Sequence, residues 1–240
     1  ARAGMASALV GLAWAGEASW ADAQAAADEV PTDFMYYAYY DENDNWNEVW
    51  DETFQRHEMS IFGTVVANEP QDNPRAPWTD CDVPGACRNQ IATDGVTSHY
   101  RQEKYTSMNA DIPVLKGVEA RMIEAEYYLI QNDMGSFIAE INAARTHFGL
   151  TGLAEPADQQ AAWDILDTER MLNLYLEARR LWDLHRWDTD SHDFTMYDGS
   201  RLHDFVYGGQ IVYPTTLDRR NTCVPIPYSE CQANPNIECP

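Results

Sequence analysis

Apolar residues recur at intervals of three and four in three separate stretches of the chain, and between those stretches the rhythm is lost. In the first, Met5, Leu9, Leu12 and Ala13 form a helical stripe. Gly16 interrupts it, and Trp20, Ala23 and Ala27 begin a second stripe. Pro31 closes that helix, because the residue before a proline resists the α conformation. The second stretch opens at Val114, with Leu115, Val118, Met122, Ala125 and Leu129 on one face. The turn "NDMGS" then leads to Phe137, Ile141, Ala144 and Phe148, ending at Gly149. The third starts after Pro156, with Asp158 as N-cap and Ala161, Ile165 and Leu166 following, and runs to Trp187.

The spacing therefore predicts helical hairpins at 2–30, 114–149 and 158–187 in one domain over 1–240. A loop excursion covers 31–113 and an irregular tail 188–240. The excursion is rich in proline, as in "NEPQDNPRAPWTDCDVPGACRNQ", and "IFGTVVA" reads as one of its few short strands. The stretch "GLAWAGEASWADAQAAADEV" resembles the tetratricopeptide pattern, with alanines where two helices approach closely. Phe137 stands in the second hairpin where Trp20 stands in the first. The expected fold class is mainly α: tetratricopeptide-like hairpins that bury each other's faces, with long irregular loops and a few short strands.

Charge narrows the partners. The 240 residues carry 39 acidic and 16 basic side chains, a formal charge of −23. Such a surface repels phosphate backbones and anionic lipid, which argues against nucleic acid and direct membrane-surface binding. No apolar run approaches the ~20 residues that a membrane-spanning helix needs. The opening "ARAGMASALVGLAWAG" is already in helical rhythm, so the chain is expected to start in mid-domain.

The most informative run is "ERMLNLYLEARRLWDLHRWD", Glu169 to Asp188. On one continuous helix, Met171, Leu174, Tyr175, Ala178, Leu181, Trp182 and His185 would share an apolar face. Glu177 would then meet Arg180, and Arg179 would meet Asp183, on the other face. Exposed pairs contribute only a few tenths of a kcal/mol, so the charges matter most if loop or tail covers them. His185 reads as a helix-end group, and no Ser or Cys nucleophile has a partner near it. The segment is expected to lock helices together, with no catalytic residues.

This run resembles the signature helix of the SusD/RagB family, roughly E-R-x-x-E-L-x-x-E-G-x-R-x-x-D-L-x-R-W. Glu169, Arg170, Leu174, Glu177, Arg180, Asp183, Leu184, Arg186 and Trp187 match in order, while Asn173 replaces the second acid and Ala178 the small residue. Three further segments agree in order. "IPVLKGVEARMIEAEYYLIQNDMGSFIAEINAARTHFGL" is similar to the family's preceding helix pair, "QDNPRAPW" to its "DPRxPW" loop, and "CVPIPYSECQANPNI" to its C-terminal "PIPxSEIxxNPN". The resemblance covers the later part of the family's usual length. It implies a nutrient-binding protein without enzymatic activity or cofactor, on the extracellular face of the outer membrane. Its partners would be an oligosaccharide or peptide ligand and a TonB-dependent (SusC-like) transporter, and any lipid anchor would lie outside this chain. The contrasting expectation is a structural subunit that self-assembles through stacked helices. A hydrolase is the least favoured reading, since no carboxylate pair or nucleophile constellation can be placed.

No family motif fixes ligand residues, so these come from chemistry. Sugar sites use aromatic faces beside amide and carboxylate groups. "YYAYYDENDNWNEVW" supplies the candidates Tyr39, Tyr40, Trp46 and Trp50, with Trp78 in the Pro-rich loop as a fifth. The helical spacings Tyr36/Tyr40 and Trp46/Trp50 fit scaffold packing equally well. Asp41, Asn43, Asn45 and Glu52 follow EF-hand positions, but Trp46 stands where that loop requires Gly, so no metal is expected. "DTDSHD" reads as a solvated loop. Of five cysteines, Cys81 and Cys87 bracket a Pro-Gly turn that a disulfide could close, and Cys223, Cys231 and Cys239 lie in the tail. Loop cysteines in so acidic a chain favour disulfides and an oxidising compartment.

Overall fold

The computed structural model describes residues 1–187 together with two short paired strands, Phe205–Tyr207 and Gln210–Val212. Cys223, Cys231 and Cys239, "DTDSHD" and "CVPIPYSECQANPNI" lie outside the described residues.

Helices dominate, as the periodicity implies. α1 (Arg2–Trp14) turns at Gly16, whose φ of +77° favours glycine, into α2 (Trp20–Asp28). Ser19 and Asp22 form a reciprocal capping box at the start of α2. The excursion then runs through β1 (Met35–Ala38), α3 (Glu48–Trp50, continued by a π-helical turn over 51–55), β2 (Trp78–Asp80), β3 (Tyr100–Gln102) and β4 (Ile112–Lys116). α4 (Gly117–Ile130) and α5 (Met134–His147) follow, joined at Asn132, which is left-handed at φ +58°. Asp133 accepts from Ser136 N at 3.1 Å and starts α5. α6 (Gln159–Asn173) begins on the Asp158 cap, which accepts from Ala161 N at 2.8 Å, and α7 (Arg180–Trp187) ends the described body.

Two apolar clusters hold the helices. Val118, Met122, Ala125 and Leu129 of α4 pack with Phe137, Ile141 and Ala144 of α5, Trp163 and Leu166 of α6, and Trp187 of α7. Ala120 and Ile123, on another face of α4, meet Ala3, Ala6 and Val10 of α1 and Ala23, Ala26 and Ala27 of α2. The buried stripe of α1 is therefore rotated from the expected one: Met5 and Leu12 are exposed. Alanines at the contact let the helix axes approach closely, with Val10 and Ile123 filling the seam and Met5, Leu12 and Trp14 left facing outward.

A second departure concerns 169–187, which is not one helix. α6 stops at Asn173, a turn covers 174–178 with Leu176 and Ala178 both at φ +58°, and α7 starts afresh at Arg180. The apolar residues of the run therefore do not form one stripe. A third concerns "IFGTVVA", which is not a strand: Gly63 has φ +75° and Val65–Asn68 is a 3₁₀ turn. Ile61 and Val66 nevertheless pack inward on Trp78 and Leu172.

The excursion leaves and rejoins the helices at one place. β1 pairs antiparallel with β4, Tyr36 opposite Leu115, and β2 pairs antiparallel with β3. Gly117 N donates to Phe34 O at 2.8 Å, and a Cβ at Gly117 would stand 1.8 Å from Pro31 O. Only glycine fits that crossing. Cys81 and Cys87 form a disulfide around the Pro-Gly turn.

Candidate ligand-binding surface

Most of the signature charges pair across elements, and Arg186–Asp183 alone among the pairs below lies within one helix. Arg170 makes a bidentate contact to Asp183, Nε–Oδ2 2.9 Å and Nη2–Oδ1 2.7 Å. Arg186 donates to Asp183 Oδ1 at 2.9 Å and to both oxygens of Glu126, at 3.2 and 2.7 Å. Trp187 Nε1 also donates to Glu126, at 2.9 Å. Glu177 does not meet Arg180. Its Oε1 accepts from Lys104 at 2.6 Å and from Lys116 at 2.8 Å. Arg179 reaches Glu119 at 2.8 Å instead of Asp183, and Arg180 pairs with Asp167. Glu169 takes Arg75 on one oxygen at 2.6 Å and Arg145 on the other at 2.5 Å.

The electrostatics follow from burial. Burial pushes the Asp183 carboxyl up, but Arg170 and Arg186 outweigh it and hold it below the usual carboxylate range. Burial pulls the Lys104 ammonium down to about 8, against the pull of Glu177 and with the help of Lys116. Nearly every oxygen of these carboxylates is engaged by a guanidinium, ammonium or indole. Saturated carboxylates are poorly placed to act as acid or base, and the arrangement clamps α4, α6 and α7 to the excursion.

Lys104, Lys116, Glu119, Glu126 and Arg145 were not singled out from the sequence. The signal for Glu119 and Glu126 was present, since they share the face of α4 that carries Met122 and would otherwise be wholly apolar. A buried acid on an apolar face requires a cation.

The aromatic candidates divide. Tyr39 is 71% exposed and Trp46 38% exposed, on the loop that follows β1. Tyr40 and Trp50 are half-buried. Met35–Ala38 is extended, so Tyr36 and Tyr40 do not share a helix face. Tyr37 and Tyr39 rings lie 6.4 Å apart, and among the described residues no ring contact joins Tyr39, Tyr40, Trp46 and Trp50. The loop is well anchored. Tyr40 N donates to Asp111 Oδ1 at 3.0 Å, Asn45 Nδ2 to Tyr39 O at 3.1 Å, and the buried Asn47 donates through Nδ2 to Ala110 O at 2.7 Å. Trp78 is placed differently from a surface platform. It is only 8% exposed, stacks on Tyr100 at 5.2 Å, and donates through Nε1 to Glu69 O at 2.9 Å, which makes it core. Asp41 spends one oxygen on the amides of Asn43 and Asp44, at 2.7 and 2.9 Å.

A cavity of about 780 Å³ lies between the Pro-rich loop and α5–α6. It is lined by Asp72, Arg75, Arg145, Phe148, Asp164 and Glu169, among others.

Fold and surface together define a mainly α protein in which helices carry a long aromatic excursion and most signature charges are buried in pairs. Residues 121–238 match the SusD family. Solved structures agree on the fold. A SusD superfamily protein from Parabacteroides distasonis ATCC 8503 superposes with a TM-score of 0.59 at 17% identity, covering 98% of this chain and 61% of that one. A SusD-like protein from Bacteroides fragilis NCTC 9343 gives 0.55 at 14%, covering 78% of this chain and 53% of that one. A SusD-like carbohydrate binding protein from Bacteroides vulgatus ATCC 8482 gives 0.51 at 16%, covering 75% and 44%. The chain thus spans about half the length of these structures. A search of curated proteins finds no match.

Proposed function

We propose that the chain binds nutrients at the cell surface, capturing glycans and passing them to a TonB-dependent (SusC-like) transporter of the outer membrane. It binds and releases without chemistry, from the extracellular face. The observation that carries this reading is the pair of exposed rings, Tyr39 and Trp46, on a loop anchored by part-buried hydrogen bonds, in a chain whose residues 121–238 match the SusD family. A flat ring held in place offers a stacking face to the apolar side of a sugar at little entropic cost. Asn43, Asn45 and Glu42 on the same loop supply partners for hydroxyls. The candidates of choice are therefore Tyr39 and Trp46, with Tyr40 and Trp50 as supports.

Isothermal titration against a panel of oligosaccharides and short peptides tests the reading. At least one glycan should bind, and Tyr39→Ala or Trp46→Ala should weaken it about tenfold, the loss of one well-placed contact. A panel with no binder overturns the function. Binding that both variants leave intact overturns the role of the loop.

A further inference from the structure

We propose that the cavity between the Pro-rich loop and α5–α6 is a second sugar subsite, built for a neutral glycan and closed to acidic ones. The inference rests on the glycan-binding reading and locates part of that binding away from the aromatic loop.

The first argument is shape and depth. About 780 Å³ falls within the range of small-molecule sites. Burial orders the lining: Arg75 and Glu169 are buried at the floor, Arg145, Phe148 and Asp164 are half-buried, and Asp72 is exposed at the rim.

The second argument is unused hydrogen-bonding capacity. Arg75 spends Nε on Asn73 at 3.2 Å and Nη1 on Glu169. Arg145 spends Nε on Thr151 O at 2.7 Å and Nη1 on Glu169. Among the described residues neither Nη2 has a hydrogen-bond acceptor, although the Arg75 side chain is only 3% exposed. Burial lowers the Arg75 pKa against the pull of Glu169, and Arg145 lowers it further, so this guanidinium gains from an added acceptor. Among the described residues the carboxylate of Asp164 has only a long 3.5 Å contact, from Gln160. A vicinal diol suits both ends, since a hydroxyl accepts from a guanidinium and donates to a carboxylate. Phe148, turned edge-on to His147 with centroids 4.9 Å apart, adds a ring to the wall.

The third argument is sign. Carboxylates outnumber guanidiniums along the lining, in a chain of formal charge −23. A uronate would meet that potential and be repelled, while an uncharged sugar would not.

The experiment is isothermal titration of the full chain with the tightest neutral oligosaccharide of the panel, and with an oligogalacturonate, for four proteins: native, Asp164→Asn, Phe148→Ala and Tyr39→Ala. Asp164→Asn removes an acceptor without cutting an ion pair, so it keeps the fold; unchanged circular dichroism checks this. About tenfold weaker neutral-glycan binding in Asp164→Asn and in Phe148→Ala, and no oligogalacturonate binding to the native chain, support the subsite. Native-like affinity in both cavity variants, with loss confined to Tyr39→Ala, overturns it and leaves the aromatic-loop reading standing. Oligogalacturonate bound as tightly as the neutral sugar overturns the selectivity. No binding of any glycan to the native chain removes both readings.

Discussion

The helices from α4 onward and the excursion before them use the same polar residue types in opposite ways. Within a helix the backbone satisfies itself, so carboxylates and guanidiniums are free to reach distant partners. Arg186 of α7 finds Glu126 of α4, sixty positions away in the chain, and Arg145 of α5 finds Glu169 of α6. In the excursion the backbone has few ladder partners, and side chains must supply them. Asp41 caps Asn43 and Asp44, Asp94 caps Val96 and Thr97, Gln102 accepts from Lys104 and Tyr105, and Asn47 from Trp50, all two or three residues on. The buried acids Glu126, Glu169 and Asp183 of the first region hold elements together, whereas Asp41 and Asp94 of the second each hold a turn together.

Three changes test that contrast. The largest effect belongs to Asp183→Ala, which strands Arg170 and Arg186 beside each other in the interior. A broken buried pair typically costs about 3–5 kcal/mol, so the urea midpoint should fall sharply. A loss below about 1 kcal/mol would mean the pairing is incidental. Next, reducing Cys81–Cys87 should cost about 2 kcal/mol from its short loop, and the effect should stay local. Limited proteolysis should then cut between 82 and 98 while far-ultraviolet circular dichroism holds; loss of helix would contradict the separation of the two regions. The smallest effect concerns Glu124. Its carboxyl is pushed up to about 7 by burial and by Glu140, with Arg121 opposing. The folded chain thus binds more protons than the unfolded one between about pH 4.5 and 7, and stability from this group falls as pH rises through that window. Glu124→Gln should therefore gain on the order of 1 kcal/mol at pH 7.5 and almost nothing at pH 4.5, read as melting temperature. An equal gain at both pH values would exclude the titration as its source.

The contrast also explains what the sequence revealed. α5 was legible at both ends, because Asp133 and Gly149 act on their own neighbours. The fold class was legible from periodicity, which reports burial directly. The break at 174–178 was not, since the apolar spacing continues through it. The turn is fixed from outside, by Lys104 and Lys116 drawing on Glu177 and on the carbonyls of Tyr175 and Asn173. The α1 face was misread because alanine counts little on a hydrophobicity scale yet fits best between close helices. Of the ligand candidates, Tyr39 and Trp46 lie on the surface and Trp78 does not. A tryptophan among prolines looks the same in sequence whether it stacks on a sugar or, as here, on Tyr100. The cavity had no linear signature, because it joins residues 72–75 to residues 145–169 only once the chain has folded.

Gly117 has a consequence for how such a molecule can change. With Phe34 and Gly117 hydrogen-bonded, and Pro31 riding over the bare Cα, the two stems of residues 31–116 are cinched to a single point. α2 packs on α4 across that knot much as consecutive repeats would if nothing had been spliced between them. The splice can lengthen, shorten or exchange its aromatic contents while the stack beneath keeps its register, provided no carbon is added at position 117.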